Sequence, residues 1–547
     1  MALARSQIAG RLGYWLVEID LGGELLRYST EALDVPTADG STLKFRAGLV
    51  GFSAAYGDLD QQGITIEDPS RVWAVLAAQG QRFDRLPATL RRWYSGMVWE
   101  ASRLALDGLA SAPVYGYPSA PGRLDLELRS TVADLGRVLP QPQQVVDATT
   151  WPVAGSALVD DTIVGAYYPV VIGKPGNLDP GPAVPALLVE SIGWVGALAP
   201  YGGYTASKLL VAGHSVAATE VTVHDMSAKP SAPMVRPIIE TVDKLGQVVS
   251  CIDWQVSSGS PYAFGGEPGR KWFTGWHEGG GLQRRGALVR GLADVLEWLA
   301  VEHSDLAVDV GALRAQGATL NRYKVDATIN GPVNALDWIR STLESVYPIR
   351  EVRGARGAYW AHVRHDWAAS DAVAHLSTEL GQVRREGPLG LRDAEVFNEI
   401  TVEYDQTQLA GRYRRLAMVT AEARRPTIGA KTADARVAGS LRCAVSQATY
   451  GVRPMTVQAP TIGDEATAFR VARDLADAQA MPRRWGRWSG SLELESLPIL
   501  SPVVLTDPEA ALDQVLAVVE SIEVRERDVV LELTLHEEPA RARVRTA

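Results

Sequence analysis

Cysteine is almost missing from this chain: Cys251 and Cys443 are the only two in 547 residues. Two thiols cannot make a disulfide framework or a four-ligand zinc site, so stability has to come from burial and pairing. No apolar run reaches the ~18 residues that a membrane-spanning helix needs. The opening Met1-Ala-Leu-Ala-Arg-Ser-Gln lacks the charged-then-apolar order of a secretion signal. The expectation is a chain made in a cytoplasm, with no stable membrane insertion. Positive charge is also in short supply, with 54 Lys and Arg against 64 Asp and Glu for a net charge of −10. That balance argues against a protein whose main task is gripping phosphates, and against sequence-specific DNA binding. It suits a surface that DNA passes without sticking, because like charges discourage adsorption. Internal repeats and low-complexity tracts are absent, which removes solenoids and arrays.

What remains is an ordinary folding composition, 46% hydrophobic and 22% charged, in a chain too long for one core. Three or four domains follow from the length. The expected fold class is α+β, predominantly β and multidomain. The expected divisions are 1–178 (β-rich), 179–260 (a β segment), 261–395 (mixed α/β) and 396–547 (α+β). The first boundary rests on Pro175-Gly-Asn-Leu-Asp-Pro-Gly-Pro-Ala-Val-Pro, a stretch dense in linker residues.

Alternation predicts strands at Tyr14-Trp-Leu-Val-Glu-Ile-Asp, Gly63-Ile-Thr-Ile-Glu and Arg123-Leu-Asp-Leu-Glu-Leu-Arg, the last with Leu124, Leu126 and Leu128 on one face. Glu220-Val-Thr-Val-His and Val248-Val-Ser-Cys-Ile-Asp-Trp read the same way. Leu288, Leu292, Val295, Leu296 and Leu299 recur at helical spacing over about three turns. A second helix is expected from near Asn330-Gly-Pro332, burying Ala335, Trp338, Ile339, Leu343 and Val346 and ending at Pro348. Ile400, Val402 and Tyr404 alternate with polar residues. Asp464 is placed as the N-cap of a helix running to about Ala480 and stopped by Pro482. A terminal hairpin pairs Ser521-Ile-Glu-Val with the strand carrying Val529, Leu531, Leu533 and Leu535.

Four ordered stretches resemble the hub and tail-tip proteins of tailed bacteriophages, prophages and gene transfer particles. The first is Met97-Val-Trp-Glu-Ala-Ser-Arg-Leu-Ala-Leu-Asp-Gly, followed by the Leu124 strand and Gly165-Ala-Tyr-Tyr-Pro-Val-Val-Ile-Gly173. The second is Trp276-His-Glu-Gly-Gly-Gly, running into the segment at 288 and on to Leu306-Ala-Val-Asp309. The third is Tyr323-Lys-Val-Asp-Ala-Thr-Ile-Asn-Gly331, before the Trp338 helix. The fourth is Asn398-Glu-Ile-Thr-Val-Glu-Tyr404, then Ser446-Gln-Ala-Thr-Tyr-Gly451-Val-Arg453, the helix at 464 and Pro482-Arg. Together they cover about half the chain as ordered patterns, without a catalytic signature and without an appended lysozyme-like or peptidase module.

The resemblance implies antiparallel β barrels and sandwiches of the baseplate-hub type with a mixed α/β insertion. It implies a homotrimer that closes the tail tube and surrounds the DNA exit channel. The partners it implies are a distal tail or tail tube protein, a central spike or tail fibre protein, the tape measure protein, and genomic DNA passing without sequence-specific binding. The implied location is the virion, assembled in the bacterial host cytoplasm. No catalytic residue, cofactor or metal follows from it.

The rival class is an enzyme. Tyr204-Thr-Ala-Ser-Lys208 with Ser191 upstream resembles the Ser and Tyr-xxx-Lys set of short-chain dehydrogenases, in which Lys lowers the tyrosine pKa. That family also needs a Gly-rich turn after a first strand, and Gly48-Leu-Val-Gly51 with Gly57 has the wrong spacing. Tyr204 and Lys208 are therefore expected in a loop at the edge of a β domain. The pairs Asp305 and Asp309, or Asp160 and Asp161, with 15 Trp in the chain, raise a cell-wall carbohydrate hydrolase. Trp298 and Trp338 are assigned to packing instead. His277-Glu278 opens a zinc-protease motif that Gly280 and Gly281 break. His362 with His365, and His214 and His224, are expected as solvated or hydrogen-bonded groups and not as ligands. Arg412-Tyr-Arg-Arg-Leu and Arg424-Arg425 are too short for a nucleic-acid surface and are placed in an exposed loop or subunit contact.

Overall fold

In the computed structural model, residues 12–536 are described apart from 23, 51–53, 57–60, 69–70, 82, 84, 116–121, 131–135, 154, 156, 158, 160–162, 176–183, 192–203, 225–233, 258–270, 277–281, 285–286, 355–356, 366, 393–395, 408–411, 423–434 and 526–527. Strands dominate, gathered into several sheets, with most of the helix confined to the second half.

Alternating leucines do what their spacing demands in the N-terminal half. The strand Arg123–Ser130 buries Leu124, Leu126 and Leu128, and pairs antiparallel with Gln61–Glu67 and Arg103–Ala110. It belongs to a ten-stranded sheet that also holds Gly13–Asp20 and Leu86–Tyr94. An eight-stranded sheet is built from the C-terminal residues, centred on Leu512–Val524, Val529–Leu535 and Arg483–Gly490. The short strand Ala54–Tyr56 crosses over and pairs with Ile522, Glu523 and Val524. One apolar core then runs from Trp15, Val17 and Ile66 to Trp488, Leu531 and Leu533. The first and last parts of the chain are thus fused by burial.

Between them lies a seven-stranded sheet with its own core of Val189, Leu209, Val211, Val249 and Ile252. Its outermost strands, Met234–Pro237 and Ile239–Val242, are consecutive in the chain and separated only by Ile238. The segment 234–242 therefore pairs with Glu220–His224 at one end and Val248–Ser257 at the other, and the sheet closes on itself. Closure removes the exposed edges of an open sheet. Of the expected linker 175–185, residues 176–183 lie outside the described residues, and Val184 and Pro185 already belong to the strand Val184–Ser191. Pro185 is tolerated there as the second residue of the strand.

The helical expectations hold in part. Asp464 caps Glu465–Gln479 by accepting from the Thr467 amide at 2.9 Å. Leu288, however, belongs to the strand Ala287–Leu288, which pairs with Gln283–Arg284. Extended backbone at Gly291 breaks the apparent stripe, and the helix starts only at Leu292. It ends in a wide π-type turn over Trp298–Glu302. The second helix begins at Ala335, capped by Asn334, because Val333 and Asn334 pair with Val138 and Leu139. A four-stranded mixed sheet with Glu399–Thr407 and Arg412–Thr420 at its centre receives the apolar face of Glu465–Gln479.

Candidate functional site

Three of the four resembling stretches meet, with the loop that caps the helix at 464, around one carboxylate. Asp326 is fully buried and accepts a two-pronged pair from Arg290, at 2.7 and 2.8 Å. The Lys174 amide, just past Gly173, donates to Asp326 Oδ1 at 2.6 Å, and the Asp326 amide donates to the Thr461 carbonyl at 2.8 Å. Gly173 has φ +65, and a Cβ there would stand 2.1 Å from the Val325 carbonyl oxygen. Only glycine accepts both the left-handed backbone and that approach. A Cβ on Gly463 would likewise come within 2.9 Å of Asp326 Oδ2. A buried carboxylate held by a guanidinium fork and a backbone amide is a structural tie.

A second buried acid joins the two terminal sheets. Glu495 faces Arg92 at 3.6 Å and Arg103 at 4.0 Å, with all three side chains at most 8% exposed. Tyr94 donates its hydroxyl to Glu495, and Arg103 also donates to the Glu495 carbonyl at 3.0 Å. Burial and the neighbouring carboxylate push the Tyr94 phenol up, which keeps it a donor. Gly13 leaves room for the Arg92 guanidinium, which a Cβ would meet at 2.5 Å.

The dehydrogenase set is dispersed. Tyr204–Ala212 is an interior strand of the closed sheet, flanked by Val184–Ser191 and Val248–Ser257, and not an edge loop. At ~3.3 Å of rise per residue, Tyr204 and Lys208 stand about 13 Å apart along it, too far to share one carbonyl. Lys208 instead pairs with Glu190 at 3.6 Å, its cross-strand neighbour. Pro200, Gly202 and Gly203 carry turn signals just upstream, and the strand buries Leu209, Leu210, Val211 and Ala212 in succession, so no alternation marks it in the sequence.

The pair Asp305 and Asp309 is dispersed as well. Asp305 pairs with Arg137 at 2.5 Å on the surface, and Asp309 caps the helix Val310–Ala315. Asp160, Asp161, His277, Glu278 and Arg424-Arg425 lie outside the described residues. Trp298 is buried edge-on to His303, and Trp338 packs half-buried beside Ile339. Arg412–Thr420 is a strand and not a loop. In it Arg414 and Arg415 reach the buried Asp405, at 2.7 and 3.6 Å.

His214 accepts the Val171 amide at 3.0 Å, and burial lowers its pKa to about 4. His224 lies in the strand Glu220–His224 opposite Trp272. His362 and His365 come together with residues far away in sequence. His362 Nε2 lies 2.9 Å from the Tyr323 hydroxyl, which donates to Asp474 at 2.5 Å. His365 stacks on His536, and Arg483 reaches both rings, at 2.9 and 3.3 Å. Sequence reasoning missed Tyr323, Asp474, Glu495 and the role of Asp326. No motif links positions separated by 151 residues, as Tyr323 and Asp474 are. Among the described residues no group of three or more His, Cys, Asp or Glu could hold a metal ion, and no helix is long and apolar enough to cross a membrane.

One exposed apolar feature stands out on the closed sheet. Val242 and Val248 face each other across a hairpin whose turn holds Leu245, and the three are 47%, 47% and 51% exposed. Asp243 ties the turn by accepting from the Leu245 and Gln247 amides, both at 2.9 Å. The tip is thus held in one shape with its apolar side chains outward.

No family model matches the sequence, and no curated protein matches it. Among solved structures, the chain is similar to a protein in the virion of a native gene transfer agent particle, at 12% identity and a TM-score of 0.39, over 75% of this chain and 92% of that one. It is also similar to the 43 kDa tail protein of prophage MuSo2 from Shewanella oneidensis, at 11% identity and a TM-score of 0.27, over 63% of this chain and 95% of that one. A third similarity is to a chain of the P2 virion baseplate in its activated conformation, at 10% identity and a TM-score of 0.18, over 74% of this chain and 99% of that one.

Proposed function

We propose that this chain is a structural component of a phage tail tip, a homotrimeric baseplate hub that closes the tail tube. The observation that carries the proposal is the tie at Asp326. Stretches that resemble tail-tip proteins converge on a buried, hydrogen-bonded ion pair, an arrangement that holds shape. In this reading the chain divides into 1–178, 179–260, 261–395 and 396–547, with the first and last modules sharing a core. The distal tail or tail tube protein sits above it, and a central spike or tail fibre below. The tape measure protein and the genome occupy the channel, and the acidic net charge lets DNA slide past. Assembly takes place in the host cytoplasm and the product resides in the virion.

Copies meet through the apolar hairpin tip at Val242, Leu245 and Val248, since exposed clusters of this kind mark contact surfaces. A ring needs a heterologous contact whose rotation closes. Val242→Glu combined with Val248→Glu is expected to convert the trimer into folded monomers, seen by light scattering with an unchanged circular dichroism spectrum. A double variant that stays trimeric removes the tip from the interface. A wild-type chain that hydrolyses cell-wall glycans, or that is stabilised by a nicotinamide nucleotide, sinks the hub reading.

A further inference from the structure

We infer that a cleft between the helix Glu465–Gln479 and the segments at 319–323 and 362–365 binds the phosphate group of a small ligand. The cleft has a volume of about 470 Å³, within the range of small-molecule sites. The helix contributes Arg470, Arg473, Asp474 and Asp477, which share one stripe at helical spacing, while Ala468, Val471, Ala472 and Ala476 face the core. Arg322 and Arg364 line the opposite walls.

Four arginines therefore meet two aspartates of the lining and Asp371 beside it, a surplus of one positive charge in a chain that is acidic overall. Both aspartates are engaged: Asp474 accepts the Tyr323 hydroxyl, and Asp477 lies 3.9 Å from Arg473. The neighbouring His365 adds no negative charge. The cationic surplus faces the cavity, and every cation is an arginine, whose planar fork matches phosphate oxygens better than an ammonium does.

Part of the site is preset. The Arg470 guanidinium lies 5.5 Å from the Tyr323 ring and donates to the Arg322 carbonyl, so it does not have to be ordered on binding. Arg364 stacks on Trp367 at 4.5 Å and pairs with Asp371 at 3.6 Å. Arg322 and Arg473 are exposed, and Arg473 keeps 73% of its side chain in solvent, so its 3.9 Å pair with Asp477 can open toward an anion. The ligand is small because the volume admits a phosphate and its ester but not a duplex.

Calorimetric titration of the full chain with inorganic pyrophosphate at low salt tests this inference. One saturable site is expected. Replacing the two exposed cations, Arg322→Gln with Arg473→Gln, should weaken binding at least about tenfold. Asp477→Asn, which removes a like charge, should tighten it by about threefold. Arg123→Gln, in the N-terminal sheet, should leave it unchanged. Absence of saturable heat in the wild type overturns the inference, as does equal affinity in the double variant. Binding of a single-stranded oligonucleotide with no binding of pyrophosphate also overturns it, by assigning the charge to a nucleic-acid backbone.

Discussion

The two buried acids show how the same chemistry makes junctions of different kinds. Asp326 joins neighbours in the middle of the molecule through short, well-formed bonds from Arg290, whose side chain still keeps 22% exposure. Glu495 joins the two ends of the chain through longer pairs, at 3.6 and 4.0 Å, to arginines that are almost wholly buried. At Asp326 the fit is tight and the partner can relax toward water. At Glu495 the fit is looser and the partners cannot. The cost of breaking a junction follows from what is left behind in the interior and not from how short its bonds are.

Glu495→Ala therefore has the larger expected effect. It strands the buried Arg92 guanidinium and leaves Arg103 its bond to the carbonyl at 495 without the Glu495 countercharge, and should lower stability by about 4 to 5 kcal/mol in urea unfolding. Asp326→Ala should cost about 3 kcal/mol, because Arg290 can turn outward. A reversed order would show that bond geometry outweighs desolvation here. The comparison sharpens if the unfolding of the closed sheet is followed separately. Its core is its own, so Glu495→Ala should leave that transition unmoved.

A smaller effect is expected from acid. Arg483 can only donate, so His365 and His536 must both accept and both be neutral. Burial, reinforced by the Arg483 charge, lowers their pKa values to about 2 and about 3. Their unfolded values lie near 6.5. The stability they allow is complete above that pH and falls as pH drops toward the folded values. About 2 kcal/mol should be lost between pH 7.5 and 5.5, less in a variant carrying both His365→Leu and His536→Leu. Smallest is the cap: Asp464→Ala should cost about 1 kcal/mol, detectable as a lowered melting temperature.

Much of the architecture was legible because it obeys local periodicity. Leu124, Leu126 and Leu128, then Ile400, Val402 and Tyr404, point into the core as their spacing demands, and Val529, Leu531, Leu533 and Leu535 do so in a strand that also buries Val530 and Thr534. The Asp464 cap announced its helix. The helix Leu441–Tyr450 went unread because only Cys443 and Ser446 among its residues are buried, leaving no apolar stripe to find. Leu288 misled because it fell by chance on the phase of the helix that starts after Gly291. The junctions and the arginine-lined cleft were illegible for another reason. Tyr94 and Glu495 are separated by 401 residues, and pairing at that range is decided by topology, which periodicity does not encode.

The central claim is assembly, and native mass measurement of the purified full chain at micromolar concentration tests it most directly. A single species of three chains is expected, falling to one chain when Val242 and Val248 are both changed to Glu. A wild-type protein that runs only as one chain at every concentration would contradict it.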